Sequence, residues 1–243
     1  MIVLAGGKPV LVDIDPRTLN MDLNQLESAI TDNTRVIMPV HFAGLPVDLD
    51  GVYELAKKYN LRVLEDAAHA IGTEYKGKRI GSFGDIQVFS FHPNKNMTTG
   101  EGGCVTTRDA EVAKNISLLR FHGIDRDSWN RYGKSGAQDY EIVLPGFKYN
   151  MMDIQAAIGI YQLQELEGFI ERRTELVNRY QEVLRDWPEF ILPGEPDYSH
   201  RHAWHLFTPL VNVGVAGMTR GDAGIKPTAE GIADFLSEKA EAL

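Results

Sequence analysis

The sequence predicts an α/β fold, with a mostly parallel sheet, helices on both of its faces, and a partial small α+β domain at the C-terminal end. Three observations carry this expectation. Short runs rich in Val and Ile occur at 9–12, 35–40, 62–65 and 86–91. Stretches with apolar residues at helical spacing lie between them, at 22–29 and 49–59. Strands alternating with helices build a parallel sheet covered on both sides. The run from 153 to about 187 has the strongest helical periodicity, through Ile154, Ala157, Ile158, Tyr161, Leu163, Leu166 and Ile170.

Taken in order, the four apolar runs read as strands and the stretches 22–29, 49–59 and 109–121 as helices. Residues 125–140 are polar, carry Gly, Ser, Asn and Asp, and read as a long loop. The run 153–187 is either one spine helix joining two domains or two helices meeting near Gly168. The Pro-rich text EFILPGEPDYSH ends it, and a short strand is expected at 205–213. A last amphipathic helix is expected at 228–243, capped by Thr228 with Glu230 nearby. This divides the chain into a large domain, 1–150, and a spine helix with a partial small domain, 151–243.

Composition narrows the class. Lys and Arg number 25 against 34 Asp and Glu, a net charge of −9, and no basic run offsets it. Nucleic acid and anionic membrane are therefore not expected as partners. A phosphorylated ligand stays compatible, because backbone amides and a few local cations hold a phosphate. No stretch approaches the ~18 apolar residues of a membrane helix. The single cysteine, Cys104, forms no internal disulfide, and with no secretory or transit segment in the text the cytoplasm is the expected compartment.

In parallel sheets ligands gather at the carboxyl ends of the strands, and three clusters follow strands or open a helix. In VLEDAAHA, Asp66 directly follows an apolar strand and His69 comes three residues later. Asp66 is either a partly buried carboxylate needing a cationic partner or a cap for a following helix. In VFSFHPNKNMTTGEGG, Lys95 sits between two Asn residues, after Ser90 and before Thr98, Thr99 and a glycine turn. It is either a surface lysine or, if the turn packs it over the sheet edge, a desolvated amine able to attack an aldehyde. In LPGFKYNMMDIQAAIG, Lys148 and Asn150 precede the long helix. Either one faces an anion at the helix start, or Asp153 caps the helix and Lys148 is merely exposed. None of these residues is read as a metal ligand.

Together the motifs EDAAHA, SFHPNKNMTTGEGG, LRFHGI and PGFKYNMMDIQAAIG, in this order, resemble the DegT/StrS-type nucleotide-sugar aminotransferases. That family has the pyridoxal-phosphate-dependent transferase type I fold, the fold of aspartate aminotransferase. The resemblance runs from about Ile2 to about Val211. It is strongest to enzymes making UDP-4-amino-4-deoxy-L-arabinose, which share the KYN variant and the HAWHLF strand.

The resemblance implies pyridoxal phosphate (PLP) as cofactor, and amino transfer from glutamate to a nucleotide-linked keto sugar. Lys95 matches the lysine that bonds the cofactor and shuttles the proton. Asp66 matches the carboxylate paired with the protonated pyridine nitrogen. His69 matches the residue beside the ring, and Ser90 a hydroxyl ligand of the phosphate. Most of the family uses an Asn from the second subunit of a homodimer to reach that phosphate; here the aligned residue is Lys148, with Asn150 close by. Against the family pattern the text lacks a front segment with a Gly-Thr-Ala phosphate loop, a core strand and a stacking aromatic, and it departs from the pattern after Val213. The expectation is a chain truncated in front and altered behind, which by itself binds PLP weakly or not at all and shows little transaminase activity. The rival reading is an inactive fragment or pseudoenzyme of the same fold. A sugar dehydratase of the family would carry His in place of Lys95.

Overall fold

The computed structural model describes residues 1–125 and 141–216. The expected helix at 228–243 and nearly all of the expected loop at 125–140 lie outside the described residues.

The helices start where a carboxylate meets free backbone amides. Asp22 accepts from the Asn24 amide at the head of α1 (Leu23–Ala29). After β1 (Val36–Ile37), Asp48 accepts from Gly51 at the head of α2 (Leu49–Lys58). Then follow β2 (Arg62–Asp66), the short strands β3 (Glu74–Tyr75) and β4 (Lys78–Arg79), β5 (Ile86–Ser90) and β6 (Gly103–Thr107). Asp109 accepts from Glu111 and Val112 to open α3 (Ala110–Leu119). The long run forms one continuous helix of 32 residues, α4 (Asp153–Leu184). Asp153 is its first residue and not its cap. The Met152 amide donates to the Gln155 side chain at 2.9 Å instead. The remaining strands are β7 (Phe190–Ile191), β8 (His200–Arg201) and β9 (Leu210–Val211).

The main sheet has the order β1-β2-β5-β6. The β1–β2 and β2–β5 pairs are parallel, and β5–β6 is antiparallel. The α/β class stands, with an antiparallel edge added. One sheet face is sealed by Ile37, Val63, Glu65, Gln87 and Phe89, and α2 packs there through Leu49, Val52 and Ala56. On the other face Val36, Met38, Val40, Val88 and Val105 keep 38–49% of their surface.

Three expected strands change. Residues 9–12 form no strand, having no neighbouring strand to pair with, and the nearest pairing is the isolated Ile14–Met21 bridge. The run 35–40 shortens to Val36–Ile37 because Pro39 has no amide to donate, although its carbonyl accepts from Asp66 at 2.8 Å. The run 205–213 pairs only at Leu210–Val211. Its first residues leave a turn in which Trp204 has φ 48°, so they are not extended ladder.

The chain divides into two units, Met1–Val177 with Gly194–Phe207, and Asn178–Pro193 with Thr208–Leu243. The division falls inside α4. The first unit holds the main sheet, the β4-β3-β8 sheet and a second small core of Met97, Leu166, Ile170 and Ala203. In the second unit β7 pairs antiparallel with β9.

Candidate active site

Adjacent parallel strands bring Asp66 and Ser90 together. Asp66 is register partner to Val88 on β5, and the Ala67 amide donates to the Val88 carbonyl at 2.9 Å. Side chains alternate along a strand, so Asp66, Val88 and Ser90 share one face, the open one. No helix follows Asp66, so it is not a helix cap. Its Oδ1 accepts from the Ala68 amide at 3.0 Å in a turn, and among the described residues no Lys, Arg or His forms an ion pair with it. A partly buried carboxylate with one oxygen uncommitted suits a cationic ligand atom.

The backbone of Asp66 is clamped from β1, its amide donating to Pro39 and its carbonyl accepting from His41 at 3.0 Å. Behind it, on the sealed face, lies a closed polar network. His41 Nδ1 accepts from Val47 at 3.2 Å, so Nε2 carries the proton and donates to Glu65 at 2.9 Å. Tyr53 and Gln87 each donate to Glu65 Oε1 at 2.7 Å. Burial, and the Glu65 carboxylate after it, push the Tyr53 phenol up. Such a fully satisfied network fixes strand register.

After β5 the chain turns sharply through Lys95, whose amide donates to the His92 carbonyl at 3.0 Å. The turn is pinned on the far side of Lys95. Met97 is buried against Leu166 and Ile170 of α4, and the Thr98 amide donates to Gln162 at 3.2 Å. Asn96 donates from Nδ2 to the Ala203 carbonyl at 2.6 Å. Lys95 itself is partly buried and has no ion-pair partner among the described residues. Ser90 Oγ accepts from the His92 amide at 3.3 Å and keeps its own hydrogen to donate.

His69 occupies the turn after Asp66. Its Nδ1 accepts from the Ala43 amide at 3.3 Å. Burial and the Lys95 charge hold this imidazole below the usual histidine range, and the Asp66 carboxylate opposes them. The His69 ring is therefore within electrostatic reach of both Asp66 and Lys95. Four of the six expected site residues gather here.

Lys148 and Asn150 do not join them. Both hold each other, Lys148 Nζ donating to Asn150 Oδ1, and the ammonium lies 4.9 Å from the Phe121 ring centre. Neither hydrogen-bonds to Asp66, His69, Ser90 or Lys95. Asn150 lines an open groove with Cys104, Arg108 and Arg120 of which Lys95 is not a part.

Two side chains at the site carried no expectation. Asn96 was read only as a neighbour of Lys95, and His205 only as the first residue of an expected strand and part of HAWHLF. The Asn96–His205 contact spans 109 residues, and no periodicity announces such a pairing.

Residues 1–221 match the profile of the DegT/DnrJ/EryC1/StrS aminotransferase family. The chain belongs to that family. The match continues past Val213. Among curated relatives, the spore coat polysaccharide biosynthesis protein SpsC of Bacillus subtilis is 46% identical over 221 residues, covering 91% of this chain and 57% of SpsC. The chain spans little more than half the length of the curated relatives it matches. Among solved structures, Spr1654 of Streptococcus pneumoniae, assigned as a sugar aminotransferase, is 32% identical in its PMP form with TM-score 0.79, covering 90% of this chain and 63% of that one. It is also solved in a PLP form. PseC of Helicobacter pylori, an aminotransferase of pseudoaminic acid biosynthesis, is 32% identical with TM-score 0.79, covering 87% and 54%. The cofactor of this family is pyridoxal phosphate, and the uncommitted Asp66 oxygen, the Ser90 hydroxyl and the Lys95 amine suit its ring nitrogen, phosphate and aldehyde.

Proposed function

We propose that this protein is a PLP-dependent aminotransferase that moves an amino group from glutamate to a nucleotide-linked keto sugar, a UDP-4-keto sugar by preference. The observation that carries this reading is the meeting of Asp66, His69, Ser90 and Lys95 at the ends of two adjacent parallel strands. Family membership, and relatives named as sugar aminotransferases, support it.

Pyridoxal phosphate, when bound, supplies an electron sink for the carbon that loses its proton. Lys95 would hold the cofactor covalently through its amine and would move the proton at the reacting carbon. Asp66 would turn its uncommitted oxygen to the ring nitrogen and favour a proton there. Ser90 donates its hydroxyl hydrogen to the phosphate. His69 flanks the ring and limits water there.

A homodimer completes the site, with Lys148 or Asn150 reaching the partner's phosphate. Exposed apolar side chains along 147–161 support such an interface, Tyr149 and Tyr161 each at 70% and Ile154 at 74%. The cytoplasm is the proposed compartment, a single cysteine being in keeping with it. Among the described residues no helix is long and apolar enough to cross a membrane.

The test is borohydride reduction of the PLP-loaded protein followed by peptide mapping. The expected result is a pyridoxyl label on Lys95 alone. A label on another lysine, or none, refutes the assignment.

A further inference from the structure

His205 lies beside the Lys95 turn and is only 7% exposed. Its Nδ1 sits 3.1 Å from Asn96 Oδ1. Because Asn96 Nδ2 is already donating to Ala203, the oxygen is the atom that faces the ring, and Nδ1 must carry the hydrogen. In the neutral ring Nε2 is then a bare acceptor. Every enclosed side-chain polar atom among the described residues has a partner, and this Nε2 has none, so it reaches open space. The segment is firmly held. Arg173 of α4 donates to the Trp204 and His205 carbonyls at 3.0 and 3.3 Å, and Ala203 and Leu206 donate to Gly44 and Ala43. Trp204 and Ala43 both take left-handed backbone, at φ 48° and 57°, a strain that persists only where the surroundings impose it.

The ring of His205 lies against that of His69, with centroids 4.3 Å apart and the planes tilted by 38°. The two rings are in opposite tautomers. His69 Nδ1 takes the Ala43 amide hydrogen, so its Nε2 is a donor, whereas Nε2 of His205 is an acceptor. A sugar hydroxyl is donor and acceptor at once and suits this couple. A carboxylate only accepts, and the lone pair on His205 repels it.

The geometry points to His205 as a substrate-binding residue, its Nε2 accepting a hydrogen bond from a hydroxyl of the sugar while Asn96 fixes its tautomer. This rests on the sugar-aminotransferase assignment above and deepens it. Burial, with the His69, Lys95 and Arg173 charges, lowers the His205 pKa to about 4, so the lone pair is present at neutral pH.

The first two readouts need neither cofactor nor turnover, so their failure is distinct from a failure of Lys95 labelling. Nitrogen-15 NMR of the cofactor-free full chain should place the His205 hydrogen on Nδ1. Titration with UDP-glucose, which has the hydroxyls but no ketone, should give a Kd that weakens about tenfold in His205→Phe, the size of one hydrogen bond. His205→Gln, which restores an acceptor and guards against a folding defect in the Phe variant, should recover most of it. In the loaded enzyme the sugar KM should rise in His205→Phe while the glutamate KM stays put. A hydrogen on Nε2, no UDP-glucose binding by the wild-type chain, an unchanged Kd in His205→Phe, or equal losses for sugar and glutamate would each overturn the proposal.

Discussion

At the scale of single residues, chemistry is set by what a side chain lacks. Asp66 Oδ1 is satisfied by Ala68, and its second oxygen has no cationic partner in the described chain. Asp66→Asn keeps an oxygen for the Ala68 amide, so the fold should persist with an unchanged unfolding midpoint. The charge facing the ring nitrogen is lost, and kcat should fall roughly a hundredfold or more, as when a partly buried ion loses its counterion. Steady-state kinetics with urea unfolding on the same samples checks both halves; a rate within a few-fold of wild type would show the charge to be dispensable. The identity of Asp66, Ser90 and Lys95 as candidates was legible because each follows a Val- or Phe-rich strand in a recognisable motif. His41, Asn96 and His205 were not. Their meaning lies in partners across the fold: Glu65 beneath the sheet, Ala203 beyond α4, and His69 alongside.

At the scale of elements, helices were easier to anticipate than strands. Asp22, Asp48 and Asp109 announce their helices locally, by offering an oxygen to the next free amides. A strand depends on its neighbour. Residues 9–12 look as much like a strand as 86–91 do, but only the latter have β2 and β6 beside them. The strand β6 begins at the end of a glycine turn and alternates poorly, so no strand was expected there; its five residues all pair with β5. Gly103 is required there because a Cβ would stand 2.5 Å from the Phe89 carbonyl oxygen, directly opposite Ser90. Gly103→Ala should therefore cost about 1–3 kcal/mol in urea unfolding, through the backbone shift that overpacking forces. It should also weaken PLP binding, as Ser90 moves with the ladder. Wild-type stability in this variant would mean that the β5–β6 pairing is looser than described.

At the scale of the whole molecule, the separation of Lys148 and Asn150 from the other four residues matters most. If those two serve the partner's phosphate, two defective chains can repair one another. Lys95→Ala and the double variant Lys148→Ala/Asn150→Ala should each be inactive alone. Mixed in equal amounts and allowed to exchange, they should regain about a quarter of wild-type activity, because half of random two-fold dimers are mixed and each of those holds one intact site. Sedimentation should report a dimer in every case. No recovery from verified mixed dimers would mean that each site is served by its own chain.

Local pattern was enough to settle the α/β class, the first three helices, the long spine run and a shortlist of candidate residues in order along the chain. These follow from periodicity, capping and motif spacing, which act over a few residues. Tertiary packing alone decided that Asp66 faces an open sheet surface rather than a helix start. It also decided that Asn96 turns His205 to lie against His69. Each of these depends on a contact between residues distant in sequence. Hydrogen-bond partners and burial are properties of the assembled fold, and no window of neighbouring residues contains them.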